Sequence, residues 1–193
     1  IANLVAAGAV TFDAATADGG GQTINWMYDP AAEDLDFLKA TDVLTIEYAA
    51  RITDGVIGAP VGNQTLTITI NGTNDGPVAT ADSGAAFTTD EDTSFNTGSV
   101  LTNDSDVDAG TTLSFSALNT TGTTGLVVDN GNGTFNYDPN GQFDTLAVGQ
   151  TATDTFSYTV SDGDGGTDTA TVTITINGTN DGPVATTDSG AAF

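Results

Sequence analysis

Residues 65–87 read TLTITINGTNDGPVATADSGAAF, and residues 171–193 read TVTITINGTNDGPVATTDSGAAF. Only Leu66/Val172 and Ala81/Thr187 differ, and Thr65 and Thr171 stand 106 residues apart. A self-match this close marks one period of a tandem array. Residues 65–70 alternate hydroxyl and branched apolar side chains, the pattern of a strand with one wet face. Asn71-Gly72 ends that strand. Asn74-Asp75-Gly76-Pro77 makes a polar corner in which Pro77 has no N–H for a ladder. Residues 78–87 read as the next strand. The repeated stretch is thus the last strand of one domain, a short acidic linker and the first strand of another.

Working outward, the 193 residues contain 26 acidic and only 2 basic side chains, Lys39 and Arg51, with no His and no Cys, for a formal charge of −24. Charge this lopsided repels nucleic acid and anionic membrane surfaces, so neither is expected as a partner. Disorder is the other reading of strong acidity, but 38% hydrophobic residues, nine Phe and clear strand alternation argue for folded domains. Abundant Gly, Thr, Asn and Asp favour turn-rich β-structure over helices. Without cysteine there is no disulfide or thiol chemistry. No apolar run approaches the ~20 residues that span a bilayer, so no membrane insertion is expected. The chain opens on Ile1 with no signal-peptide pattern, which suggests a piece of something longer. With no His, no Cys and no Ser-centred nucleophile motif, an enzyme is not expected.

Residues 1–72 read as a domain missing its beginning. Strands are expected over 9–14, 23–28, 43–52 and 65–70, with one or two helical turns within 29–39. Trp26, Tyr28 and Phe37 are expected to pack in a core, given the area such rings bury. Residues 73–178 read as one complete domain, with strands near 78–87, 93–101, 111–118, 125–129, 133–137, 151–161 and 168–177. Seven short strands with turn signals every 8–12 residues is the pattern of an Ig-like Greek-key sandwich. Tyr158 and Val160 should face inward. Residues 179–193 read as a linker and the first strand of a following repeat. The Thr rows (Thr65, Thr67, Thr69; Thr171, Thr173, Thr175) read as the wet face of edge strands rather than a ligand-binding plateau. The halves also match at an offset of 108, pairing Leu38 with Leu146, Ile52 with Val160 and Asp54-Gly55 with Asp162-Gly163.

Residues 89–93 (TDEDT), 100–108 (VLTNDSDVD), 133–139 (GTFNYDP), 154–162 (DTFSYTVSD) and 177–181 (NGTND) closely resemble the cadherin-like repeats of giant bacterial surface proteins. Residues 23–75, with Trp26, Leu35-Asp36-Phe37-Leu38 and Gly72-Thr73-Asn74-Asp75, resemble the latter part of the related VCBS repeat. The resemblance implies all-β sandwich extender modules of secreted RTX-type adhesins at the bacterial cell surface, stiffened by calcium and partnered by neighbouring repeats of the same chain.

The carboxylates fit that chemistry on their own terms. Asp104, Asp106 and Asp108 alternate in one loop, Asp162, Asp164 and Asp168 in another, and Glu91-Asp92 stand in a third. Hard cations need six to eight oxygens, which loops of this kind supply. The first loop is no EF-hand, because Gly110 comes one place late and Phe115 replaces the bidentate Glu. If the first strand of 73–178 runs away from its linker, the Asp104 and Asp162 loops both return to Asn74 and Asp75. Glu91 and Asp92 then lie at the other end, near Asn180 and Asp181. Turn chemistry alone is the bland alternative. Two other functions compete with the extender: a filament subunit joined by strand exchange between copies, and a carbohydrate- or ice-binding module.

Overall fold

The computed structural model describes residues 10–12, 26–29, 33–52 and 62–187. The chain forms two compact units, residues 1–74 and 75–193. In the first, β1 (Val10–Phe12) pairs antiparallel with β2 (Trp26–Tyr28), and β3 (Val43–Ile52) with β4 (Gly62–Asn71). Alternation decides what each strand buries. Ile46 and Ile68, register partners on β3 and β4, are buried, with Val10, Tyr28, Leu35, Leu44, Tyr48, Leu66 and Ile70 packed round them. Thr65, Thr67 and Thr69 face water. Among the described residues of this unit, Ile46 and Ile68 are the buried hydrophobics. Tyr28 is half-buried, but Trp26 is 47% and Phe37 44% exposed, against the expectation of core packing. Within 29–39 the described residues hold a turn and no helix.

The second unit continues with β5 (Thr88–Asp90), β6 (Phe95–Asn96), β7 (Ser114–Asn119), β8 (Leu126–Asp129), β9 (Phe135–Asp138), β10 (Thr151–Ser161) and β11 (Thr167–Asn177). One sheet runs β5-β11-β10-β7 and the other β6-β9-β8, so the architecture is the all-β sandwich expected. Strands β10 and β11 pair over eleven rungs, from Thr151↔Asn177 to Ser161↔Thr167. Their even-numbered residues form the core: Phe156, Tyr158, Val160, Val172, Ile174 and Ile176 are at most 3% exposed. Phe135 and Tyr137 of β9 close it from the other sheet, Phe135 edge-on to Phe156 at 5.0 Å. The odd-numbered Thr and Ser face away, although β11 lies inside the sheet rather than at its edge.

Two expected strands are broken. Residues 78–87 form no continuous strand. Val78 and Asp82 make isolated bridges to Ser105 and Val172, Gly84 turns the chain at φ 90°, and Ala85–Phe87 is a 3₁₀ turn that buries Phe87. Only Thr88–Asp90 then pairs with β11, in parallel. Of residues 93–101, Phe95–Asn96 alone is strand, and Val100–Thr102 is a second 3₁₀ turn capped by the Ser99 hydroxyl, 3.3 Å from the Leu101 N–H. Local turn chemistry overrode the apolar pattern in both places.

The same turn occurs once within each unit. Leu38 N–H donates to Leu35 O, Asp42 N–H to Lys39 O and Gly72 N–H to Asp42 O. Leu146 to Phe143, Gln150 to Ala147 and Gly178 to Gln150 repeat the set.

Candidate metal centres at the two ends of the second unit

The leading segment runs alongside β11 from its start to its end, which separates the carboxylates into two groups. At the incoming end, Val78 exchanges both backbone bonds with Ser105. Ala79 N–H donates to Asp168 Oδ2 and Thr80 N–H to Asp104 Oδ1, each at 2.8 Å. Asp75 N–H donates to Asp108 Oδ2 at 2.9 Å. Asp82 N–H donates to Thr171 O and its carbonyl accepts from Thr173 N–H. Carboxylates replace the ladder that Pro77 and the breaks in this segment deny it. The Ala79 and Thr169 N–H groups hold the Asp168 carboxyl below its usual range.

Asp104 also accepts the Tyr158 hydroxyl, at 2.9 Å to Oδ1 and 3.0 Å to Oδ2. Asp162, 6% exposed, takes the N–H groups of Asp164, Gly165 and Gly166 on Oδ1 and Gly166 again on Oδ2. That closes the β10–β11 turn, and it leaves exposed Asp164 contributing its backbone. Asp106 Oδ1 accepts the Asp108 N–H at 2.8 Å. Asp106 Oδ2 and Asp108 Oδ1 are both buried with no hydrogen-bond partner. Asn74 is the last residue of the first unit.

At the outgoing end the turn after β5 carries Glu91, 1% exposed. Its Oε1 accepts the Thr179 N–H at 2.6 Å and the Thr179 hydroxyl at 3.0 Å, and Asp92 Oδ2 lies 3.1 Å from that hydroxyl. Glu91 Oε2 is buried and unpartnered. One carboxylate oxygen each from Glu91, Asp92 and Asp181 lies within 4.8 Å of the others. Partial desolvation, then the Asp92, Glu91 and Asp144 charges, raise the Asp181 carboxyl. Beside the cluster, Asp144, Leu146, Val148, Thr179, Asn180 and Asp181 help line a pocket of about 270 Å³. Asn180 itself is exposed and turns its amide to the Asp181 carbonyl.

Burying a carboxylate oxygen without a donor is costly. Among the described residues four carboxylate oxygens are buried in this way; those of Glu91 at the outgoing end and of Asp106 and Asp108 at the incoming end are acceptor positions suited to an oxygen-seeking cation, and the fourth belongs to Asp82. The donor set is all oxygen, which suits calcium or magnesium rather than the nitrogen- and sulfur-seeking metals.

Several residues that shape these ends were not picked out from the sequence. Thr179 ties the outgoing segment to Glu91 and Asp92, and Asn103 Nδ2 donates to the Thr80 and Ala81 carbonyls. Asp154, 5% exposed, accepts from Thr124, Gly125 and Thr155 N–H and from the Tyr137 hydroxyl. Its signal was present: Asp154 stands at an inward position of β10, two before Phe156. Asp82, also 5% exposed, had no such regular strand around it.

No curated protein matches the chain. The family model for the bacterial cadherin-like domain matches residues 74–178, more than half of the chain and nearly the whole described second unit. With the sandwich, the parallel β5–β11 pairing and the acidic ends in place, the chain belongs to the bacterial cadherin-like domain family.

Proposed function

We propose that the chain is a run of structural extender repeats in a secreted bacterial adhesin, stiffened by calcium at the ends of its domains. Bacterial cadherin-like domains are structural, adhesion-type modules of extracellular and surface proteins, and the fold is non-enzymatic. The observation that carries the calcium reading is Glu91, whose Oε2 is buried with no partner and whose carboxyl clusters with those of Asp92 and Asp181. On this reading Glu91, Asp92 and Asp181 hold one ion, and Asp106 and Asp108 contribute to a second, beside the Asp75 backbone that Asp108 holds. Asp104 and Asp168 hold the leading segment, and Asp162, Asp164 and Asn180 shape turns. The ion supplies positive charge between carboxylates that otherwise repel. The residues themselves fix where the chain joins and leaves the sandwich.

Parallel pairing of the first and last strands supports the extender reading, because it puts the incoming and outgoing chain at opposite ends of the unit. Neighbouring repeats of the same chain, in tandem, are then the partners. One observation favours the filament reading: Val184, in the second copy of the linker, is 89% exposed. Phe193, which strand exchange would bury, lies outside the described residues.

Extracellular calcium modules commonly bind at about 10⁻⁴–10⁻³ M. Melting the full chain in millimolar calcium and in chelator tests the proposal. A rise in the second unit's melting temperature with calcium is expected, and identical curves would overturn it.

A further inference from the structure

The hydroxyl of Tyr158 sits in a cluster with too many acceptors. Asp104 Oδ1 and Oδ2, Val100 O and Thr80 O lie 2.9, 3.0, 3.1 and 3.3 Å from it. A phenol has one hydrogen to give. Asn103 spends its two amide hydrogens on the Thr80 and Ala81 carbonyls. Beside this cluster lies Asp82, 5% exposed, with Oδ2 buried and without a partner. As a carboxylate it adds acceptors where they are already in excess. As a carboxylic acid it supplies the missing hydrogen.

We propose that Asp82 carries a proton when the leading segment is docked, and that this proton latches residues 78–82 onto the sandwich. The main chain of Asp82 is already bonded on both sides, to Thr171 O and Thr173 N–H, so its side chain cannot swing clear while the segment stays in place. Losing the proton puts a buried negative charge beside the half-buried Asp104 and weakens the docking. The groups that set this balance are Tyr158 from β10 and Asp104 and Asn103 after the second 3₁₀ turn. The β11 residues Thr171, Val172 and Thr173 carry no charge. Burial pushes the Asp82 carboxyl up to about 6 and the Asp104 charge adds to the rise, while the nearby Tyr158 hydroxyl and Asn103 amide dipoles oppose it. Asp82 belongs to neither cation cluster, so the latch stands whether or not the calcium reading does.

The sign follows from linkage. The docked value lies above that of an opened chain, so docking is strongest in acid and weakens as pH rises through about 6. With an ordinary carboxyl in the opened state, the opening constant rises about tenfold between pH 5 and pH 8. Amide hydrogen exchange of the full chain at fixed saturating calcium reads this directly at Ala79, Thr80 and Asp82, after correction for intrinsic rates. In Asp82→Asn the amide donates at every pH. Its protection is therefore expected to be independent of pH and to exceed wild type at pH 8. A carbon-13 titration of the wild-type Asp82 carboxyl keeps the proposal testable if the variant does not fold, with a midpoint near 6 expected. A midpoint in the ordinary carboxylate range overturns it. So does an asparagine variant that keeps the wild-type pH trend or is less protected than wild type at pH 8.

Discussion

Glu91→Gln is expected to stabilise the second unit without calcium and to weaken it with calcium. The substitution is nearly isosteric and keeps Oε1, which holds the Thr179 N–H and hydroxyl. It replaces the unpartnered Oε2 by a neutral amide, removing one negative charge from the cluster with Asp92 and Asp181. Relieving a buried orphan acceptor is worth about 1–3 kcal/mol. A domain of this size shifts by about 4 °C or more per kcal/mol, so the chelated variant should melt roughly 4–12 °C above wild type. Calcium reverses the order. An ion bound at a hundredfold excess over its dissociation constant stabilises the wild type by about 2.7 kcal/mol, a gain that a site short of one carboxylate loses in large part. Calorimetry of both proteins in chelator and across a calcium titration should therefore give crossing curves. A variant destabilised equally in both conditions refutes the reasoning, because Glu91 would then be stabilising by a route that needs no cation.

Two further outcomes test the sandwich apart from any ion. Asp154→Ala strands the buried Tyr137 hydroxyl and the N–H groups of Thr124, Gly125 and Thr155, and should cost about 3–5 kcal/mol by urea unfolding, the same with and without calcium. A Cβ on Gly125 would lie 2.6 Å from the Tyr137 hydroxyl oxygen and 2.7 Å from the Asp138 carbonyl, so Gly125→Ala should destabilise by about 1–3 kcal/mol and broaden or shift the Tyr137 signals.

Alternation made β10 and β11 legible because both faces are uniform: every odd-numbered residue is polar and uncharged, and the even-numbered residues are apolar apart from Asp154 and Asp168. The two exceptions are the residues that serve other segments, Asp154 the loop before β8 and Asp168 the leading segment. The repeat marked the expected linkers, and strand direction returned the Asp104 loop towards Asp75, whose N–H donates to Asp108 Oδ2. What the pattern hid was backbone replaced by side chain. Residues 78–82 have the apolar spacing of a strand, yet they are held by Asp104, Asp168 and Ser105, contributed from 24 or more residues away in sequence, as between Asp104 and Thr80. Local pattern carries no signal for such contacts. It also could not separate carboxylates that accept N–H groups from those left with a free oxygen. Asp162 and Asp108 look alike in sequence. The first is surrounded by the N–H groups of its own turn, and the second keeps a buried oxygen without a donor. Trp26 shows the reverse error, a ring assigned to the core on its size alone that is 47% exposed.

The placement of the outgoing cluster bears on how an extender would carry load. The leading segment meets β11 through the Asp82–Val172 bridge and the parallel pairs Thr88↔Thr175, Thr89↔Ile176 and Asp90↔Asn177. Tension on the two chain ends of this unit slides these segments past each other along the strand axis. The bonds between them are then sheared together rather than opened one at a time. Glu91 follows β5 directly, and Thr179 and Asp181 follow β11 directly. A cation shared by Glu91, Asp92 and Asp181 would therefore join the same two segments that tension separates, just beyond their last pair. The Thr179 bonds to Glu91 already make that connection without metal. Calcium would thus strengthen a clasp that the protein builds first from its own hydrogen bonds, at the place where the chain leaves the sandwich.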